Sequence, residues 1–184
     1  MLIVDIILLI IILGFFIRGW QQGLIRTLAG LIGIILGIII ASHLYIQLAD
    51  WLTVIPFFEH HESLSKIISF IAILFVVNGI IGVGGWLIEK TFNILSFVPF
   101  LKTINKLAGG VLGLISGIIL LGIAIVIITA IENPLTYYLL GYLQESYIAP
   151  WLVTIIGLLS PLWPEVIKKT TKIIQSLPYY KIPF

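Results

Sequence analysis

The stretch LIRTLAGLIGIILGIIIASHL, residues 24–44, decides the fold of this 184-residue chain. It is long and apolar enough to cross the hydrocarbon core of a bilayer as one α-helix, which takes roughly 20 residues. Small residues recur in it at every fourth position: Ala29, Gly33, Gly37 and Ala41. Because residues i and i+4 share one helix face, they form a smooth strip that another backbone can approach closely. The stretch therefore predicts a transmembrane helix that packs through small residues.

The composition of the whole chain agrees with a membrane protein. Hydrophobic residues make up 60% of it and charged residues only 10%, whereas about 25% of a soluble domain is charged. Mean hydropathy is +1.22. A net charge of +2, without a stripe of basic and aromatic residues, excludes nucleic acid as an expected partner. With no cysteine, the chain has no disulfide, no thiol nucleophile and no thiolate metal site.

Four apolar segments predict an all-α domain with four transmembrane helices over residues 1–131. The expected spans are residues 2–17, 24–44, 64–88 and 107–131. A second ladder, Gly109, Gly113 and Gly117, opens the last of them. We expect the second and fourth helices to pack against each other through the two ladders, within one chain or between the chains of a homo-oligomer. Residues 89–106, which contain Pro99, are expected to form a cytoplasmic loop with a short interfacial helix.

Basic residues in the short loops predict the orientation. The second loop, residues 45–63, has acidic residues and no basic one, so it is expected outside, together with the N-terminus. The first and third loops are basic and are expected inside. The charges expected at this inner face are Arg18, Arg26, Glu89, Lys90 and Lys106, together with Lys102.

The region from residue 132 to residue 184 is expected to lie at the membrane surface. Residues 147–163 are apolar but are interrupted by Pro150 and Pro161, which favours an interfacial helix over a spanning one. A basic amphipathic helix then follows Pro164, and we expect Lys168, Lys169 and Lys172 to contact anionic lipid headgroups. Four spans place this tail outside, although its lysines favour the inside. If residues 147–163 cross the membrane instead, the tail moves inside.

Two polar residues fall within the predicted spans. A carboxylate in a membrane helix is costly and often functional, but Asp5 lies near the outer end, which favours a structural or orienting role over proton transfer. Asn78 is near the middle of the third span, where an interhelical hydrogen bond is favoured over a substrate contact. His60 and His61, beside Glu59 and Glu62, are interpreted as a solvated loop in preference to a metal site or pH sensor.

The sequence lacks the usual catalytic patterns. It contains no nucleophile elbow, no P-loop and no HExxH motif. We expect neither an enzyme nor a bound metal or cofactor.

Several short runs resemble the CvpA family, small bacterial inner-membrane proteins named for colicin V production. The runs are Arg18-Gly19-Trp20, Gly23-Leu24-Ile25-Arg26, Ala41-Ser42-His43, Leu87-Ile88-Glu89-Lys90-Thr91 and Asn105-Lys106, together with the two ladders and Asp5. Three positions depart from the family pattern. Thr27 stands where the family often has Glu, Asn105 where it has Asp, and Ser116 where a basic residue is common. These departures remove inner-face charges and weaken the case for an ion or proton pathway.

The resemblance implies a four-helix inner-membrane protein linked to bacteriocin export and envelope stress tolerance. Our leading hypothesis is therefore an accessory protein that supports bacteriocin production, secretion or envelope homeostasis through helix–helix contacts, with a second copy or another membrane protein as its partner. One alternative is a small oligomeric channel or transporter, which discontinuous helices and buried ionisable groups would favour. Another alternative is a membrane anchor for a soluble partner.

Overall fold

The computed structural model describes residues 2–59, 62–91, 99–130, 141–143 and 145–157. The described part is helical, with no strand in these ranges, as the sequence predicts. The helices are α1 (Leu2–Leu52), α2 (Pro56–Glu59), α3 (Glu62–Thr91), α4 (Pro99–Ala130) and α5 (Ile148–Gly157). His60 and His61, and the lysines Lys168, Lys169 and Lys172, lie outside the described residues.

Three helices, α1, α3 and α4, are long and apolar enough to cross a membrane. Helix α1 is exceptional, since its apolar part covers 50 residues. A straight helix of that length would measure about 75 Å, more than twice the thickness of a bilayer core. The explanation lies at Gly23, whose φ of 78° and ψ of 177° are not helical. We call the two parts α1a (residues 2–22) and α1b (residues 24–52).

The chain reverses its direction at Gly23. The Thr27 hydroxyl lies 3.4 Å from the Gly19 carbonyl oxygen, although eight residues of continuous helix would separate these positions by about 12 Å. From Phe15 to Gly23, the neighbouring residues on α4 run backwards, from Gly117 to Asn105. Beyond Gly23, residue numbers on α1 and α4 rise together along the shared cavity. Thr27, Gly30 and Ile34 border it with Gly113, Ser116 and Leu120. Helix α1a is therefore antiparallel to α4, and α1b returns alongside it.

The two parts of α1 form the centre of the bundle. Helix α1 packs extensively on both α3 and α4, whereas α3 and α4 barely contact each other in the described part of the chain. The apolar core joins side chains from all four long segments and from α5, among them Leu8, Ile38, Phe70, Val126 and Val153. In the described part of the chain, this leaves an opening on the side where α3 and α4 face each other.

The loop between the third and fourth predicted spans is shorter than expected. Helix α3 continues to Thr91, and Pro99 begins α4 instead of breaking a loop. Proline is well suited to the first turn of a helix, because the N–H that it lacks would have no partner there. Lys102 and Lys106 are therefore helical residues of α4.

Helix α5 belongs to the same bundle. Its buried face, formed by Ala149, Leu152, Val153 and Ile156, packs on α4, and a Cβ on Gly122 would collide with Ile156. The ten residues of α5 cover about 15 Å, half of a bilayer core. Residues 147–163, which the sequence predicts to form an interfacial helix, therefore contain α5, a short helix that packs against α4.

Candidate functional site

The break at Gly23 is stabilised by hydrogen bonds from two other residues. Asn105 of α4 accepts a hydrogen bond from the Leu24 backbone N–H through its Oδ1 atom, at 3.0 Å. Thr27 donates from its hydroxyl to the Gly23 carbonyl oxygen, at 2.8 Å. In apolar surroundings an unpaired backbone group is costly, so these bonds make the break tolerable. Glycine is required at position 23 because other residues rarely adopt this positive φ.

Backbone meets backbone where α1a packs on α4. A Cβ atom on Gly19 would collide with the Gly109 carbonyl oxygen and would lie 2.9 Å from the Gly113 Cα. A Cβ atom on Gly109 would lie 2.5 Å from the Gly19 carbonyl oxygen and 2.8 Å from the Gly23 Cα. Gly117 faces the side chain of Phe15. The ladder on α4 therefore fits against a second set of glycines on α1a.

The ladder on α1b packs on α3 in a different way. A Cβ atom on Gly33 would collide with the Asn78 side-chain oxygen, and one on Gly37 would lie 3.3 Å from the Leu74 carbonyl oxygen. Ala29 contacts Gly85, and Ala41 is completely buried. The two ladders thus pack on two different helices, instead of on each other as expected from sequence.

A cavity of about 490 Å³ lies between α1, α3 and α4. Glycines make up much of its wall: Gly19, Gly30, Gly79, Gly82 and Gly113. Gly30, Gly79 and Gly82 have open space where a Cβ would be, with no heavy atom within 4 Å. These three glycines therefore leave room for the cavity, in contrast to the tightly packed Gly19 and Gly113.

The polar wall of the cavity is basic. Arg18, Gln22 and Arg26 contribute from α1, and Asn78 contributes from α3. None of the described lining residues is acidic. Arg18 is exposed and Arg26 is half-buried, and neither makes an ion pair with a described acidic residue. The cavity can therefore accept a negatively charged group.

Asp5 lies at the end of α1a away from Gly23, where it binds the start of α5. Its carboxylate accepts hydrogen bonds from the Ser146 hydroxyl at 2.5 Å and from the Tyr147 and Ile148 backbone N–H groups at 3.1 and 3.2 Å. Ser146 in turn accepts from the Ala149 N–H at 3.0 Å. Asp5 and Ser146 together satisfy the first N–H groups of α5, where the helix dipole also favours a negative charge.

The other residues of the predicted inner face lie near the mouth of the cavity or on α4. The Lys90 ammonium group lies 5.1 Å from the centre of the Trp86 ring, and Trp86 lines the cavity. Glu89 and Lys106 are half-buried, on α3 and α4 respectively. The described residues contain no group of three His, Asp or Glu side chains placed to hold a metal ion.

Residues 4–157 match the family model described as colicin V production protein. The chain belongs to the colicin V production protein family. No curated protein and no solved structure matches it. The family named from short sequence runs is therefore shown over most of the chain, from near the start of α1 to the end of α5.

The structure explains two departures from the pattern of the colicin V production family. Asn105 uses an acceptor oxygen, and an aspartate in its place would offer the same kind of acceptor to Leu24. Thr27 uses its hydroxyl to bond the Gly23 carbonyl oxygen. Ser116 bonds its own helix, donating to the Leu112 carbonyl oxygen at 2.9 Å. All three positions lie on the cavity or beside the helix break.

Sequence reasoning missed three elements of this site. Gly19 lies four residues before Gly23 and continues a small-residue spacing, which is the signal that could have placed it in the packing face. Gln22 shares a helix face with Arg18, which could have placed it with the cavity residues. The function of Asn105 has no local sequence signal, because its partner Leu24 is 81 positions away.

Proposed function

We propose that this protein is a four-span protein of the bacterial inner membrane, with its N-terminus outside. The observation that carries this proposal is the reversal at Gly23. Helices α1a and α1b measure about 31 and 43 Å, so each is long enough to cross a core of about 30 Å. With α3 and α4, they make four crossings.

The distribution of basic residues supports this orientation. Arg18, Arg26, Lys90, Lys102 and Lys106 lie at the end of the bundle that contains Gly23. Within the described ranges, Lys66 is the only basic residue near the opposite end, and it is paired with Glu62 at 2.5 Å. The end with Gly23 therefore faces the cytoplasm under the positive-inside rule.

As its cellular role, we propose an accessory protein that supports bacteriocin production or secretion, or envelope homeostasis. Membership of the colicin V production family supports this role. The outer face of α3 supports a mechanism through helix contacts, since Val76 and Ile80 are more than half exposed there and do not line the cavity. Such a face suits lipid or the helix of a membrane-protein partner.

A small transporter is the second candidate, and the structure supplies a specific reason for it. Substrate sites of secondary transporters are often built at discontinuous helices. Helix α1 is discontinuous at Gly23, and the basic cavity lies beside this break.

Two assays separate these functions. In cells that lack the protein and carry a colicin V system, the accessory role predicts that the wild-type chain restores bacteriocin in the medium and tolerance of detergent. Absence of any defect in the deleted cells, or of any rescue, would contradict it.

In proteoliposomes, a transporter predicts saturable flux that Gly82→Leu abolishes by filling the cavity. Gly84→Leu is the matched control, because Gly84 is equally unobstructed but does not line the cavity.

A further inference from the structure

We propose that the cavity between α1, α3 and α4 binds an anionic amphiphile, with a phosphate headgroup at Arg18 and Arg26 and an apolar chain that leaves between α3 and α4. This inference goes beyond the accessory role. It requires only that the bundle is inserted in a bilayer.

The charge of the cavity is the first argument. Two guanidinium groups border one cavity that has no acidic lining residue among those described. These arginines lie at the end of the bundle that contains Gly23, and a basic pocket between membrane helices at such an end attracts anionic headgroups. Guanidinium groups offer paired N–H donors that match the oxygens of a phosphate group.

Neutral polar groups and the helix break add to this preference. The side-chain amides of Gln22 and Asn78 also line the cavity. Neither makes a hydrogen bond to another described residue, so their N–H groups are available. Helix α1b begins beside the cavity at Leu24, and the N-terminal turn of a helix carries partial positive charge.

The apolar part of the cavity favours an amphiphile over a free anion. Phe15, Ile34, Phe75 and Leu120 line it together with the polar residues. Because α3 and α4 barely contact each other, a chain can leave sideways into the bilayer. A free phosphate ion would gain nothing from these apolar walls.

The glycines on α3 supply an independent argument. Gly79 and Gly82 border the cavity, and neither has an atom within 4 Å of its Cβ position. Helix packing therefore does not require glycine at these positions. Because both glycines line the cavity, a larger side chain at either position would take up part of its space.

The test is binding of defined lipids to the purified full-length protein, measured by native mass spectrometry. The probes are dioleoyl phosphatidylglycerol, which is anionic, and dioleoyl phosphatidylcholine, which is zwitterionic. We expect preferential binding of phosphatidylglycerol and a loss of roughly tenfold in its affinity for each of Arg18→Gln and Arg26→Gln. Lys102→Gln is the matched control, since this exposed lysine does not line the cavity.

A second pair of variants keeps the proposal testable if the arginine variants do not fold. Gly82→Leu should abolish the preference for phosphatidylglycerol by filling the cavity, whereas Gly84→Leu should preserve it. An unchanged preference in Gly82→Leu would overturn the proposal. So would inorganic phosphate that binds as tightly in calorimetry, since the site would then take the free anion. The lipid assay uses no secretion system, so its outcome is independent of the accessory role.

Discussion

The two packing faces of α1 use glycine differently. Helix α1a meets α4 glycine to glycine, with Gly19, Gly109 and Gly113 bringing the two backbones together. Helix α1b meets α3 partly through a side chain, since Gly33 lies against the Asn78 amide. At Gly19, Gly109 and Gly113, this first interface has no side chain that can move aside. The second has one, and the same side chain also borders the cavity.

This difference predicts that the α1a–α4 interface is more rigid than the α1b–α3 interface. Close backbone approach is a main source of helix association in lipid, where the hydrophobic effect does not drive it. The α1a–α4 interface, together with the bond from Leu24 to Asn105, fixes the reversal at Gly23. The α1b–α3 interface can change through Asn78 without separating the helices. We therefore expect glycine substitutions at the first interface to have larger effects than those at the second.

The largest effect is expected for Gly109→Leu. Its Cβ would lie 2.5 Å from the Gly19 carbonyl oxygen and 2.6 Å from the Gly23 carbonyl carbon, so the helices must separate. We expect a loss of about 3 kcal/mol or more in the free energy of unfolding, measured by titration with sodium dodecyl sulfate. Gly14→Leu is the control, because Gly14 has no atom within 4 Å of its Cβ position. Equal stability of the two variants would contradict the backbone contact.

A smaller effect is expected for Gly33→Ala. The added methyl group meets the end of the Asn78 side chain, which can rotate, but it also lies 3.2 Å from the Asn78 Cα. We expect a loss of about 2 kcal/mol in unfolding free energy. Asn78→Ala removes the movable part of the obstruction, so the double variant should be more stable than the sum of the single effects predicts. Strict additivity would show that the amide is not the obstruction.

For Asn105→Ala we expect a loss of about 1 kcal/mol, because the Leu24 N–H loses its acceptor. Asn105→Asp keeps an acceptor at the same place and should retain most of the stability. Thermal unfolding in detergent compares the two variants. A larger loss for Asp than for Ala would argue against the hydrogen bond as the reason for this residue.

The smallest effect on the bundle is expected for Asp5→Ala. Removing the carboxylate takes one acceptor away from the Tyr147 and Ile148 N–H groups. We expect α5 to open more easily by about 1 kcal/mol, while thermal unfolding of the bundle changes little. Hydrogen exchange at residues 147–157 measures the opening, and residues 105–120 serve as the internal reference. Unchanged exchange at 147–157 would contradict the capping role.

The sequence predicted the helical membrane class and the family, because apolar length and short family runs are local signals. The ladder positions were also visible from the four-residue spacing. Their partners were not, since Gly109 meets Gly19 only after the chain reverses at Gly23. Arg18 and Arg26 were recognised as inner-face charges. Their convergence on one cavity with Asn78 depends on how three helices are arranged, which no local pattern records.

The sidedness of α1 tests the reversal at Gly23 most directly. The chain has no cysteine, so single cysteines at Ile3, Gln21 and Thr53, all exposed, can be labelled one at a time with a membrane-impermeant maleimide. A reversal at Gly23 predicts labelling of Ile3→Cys and Thr53→Cys from the outside and of Gln21→Cys only from the inside. Labelling of Ile3→Cys and Thr53→Cys from opposite sides would contradict it, because α1 would then cross the membrane only once.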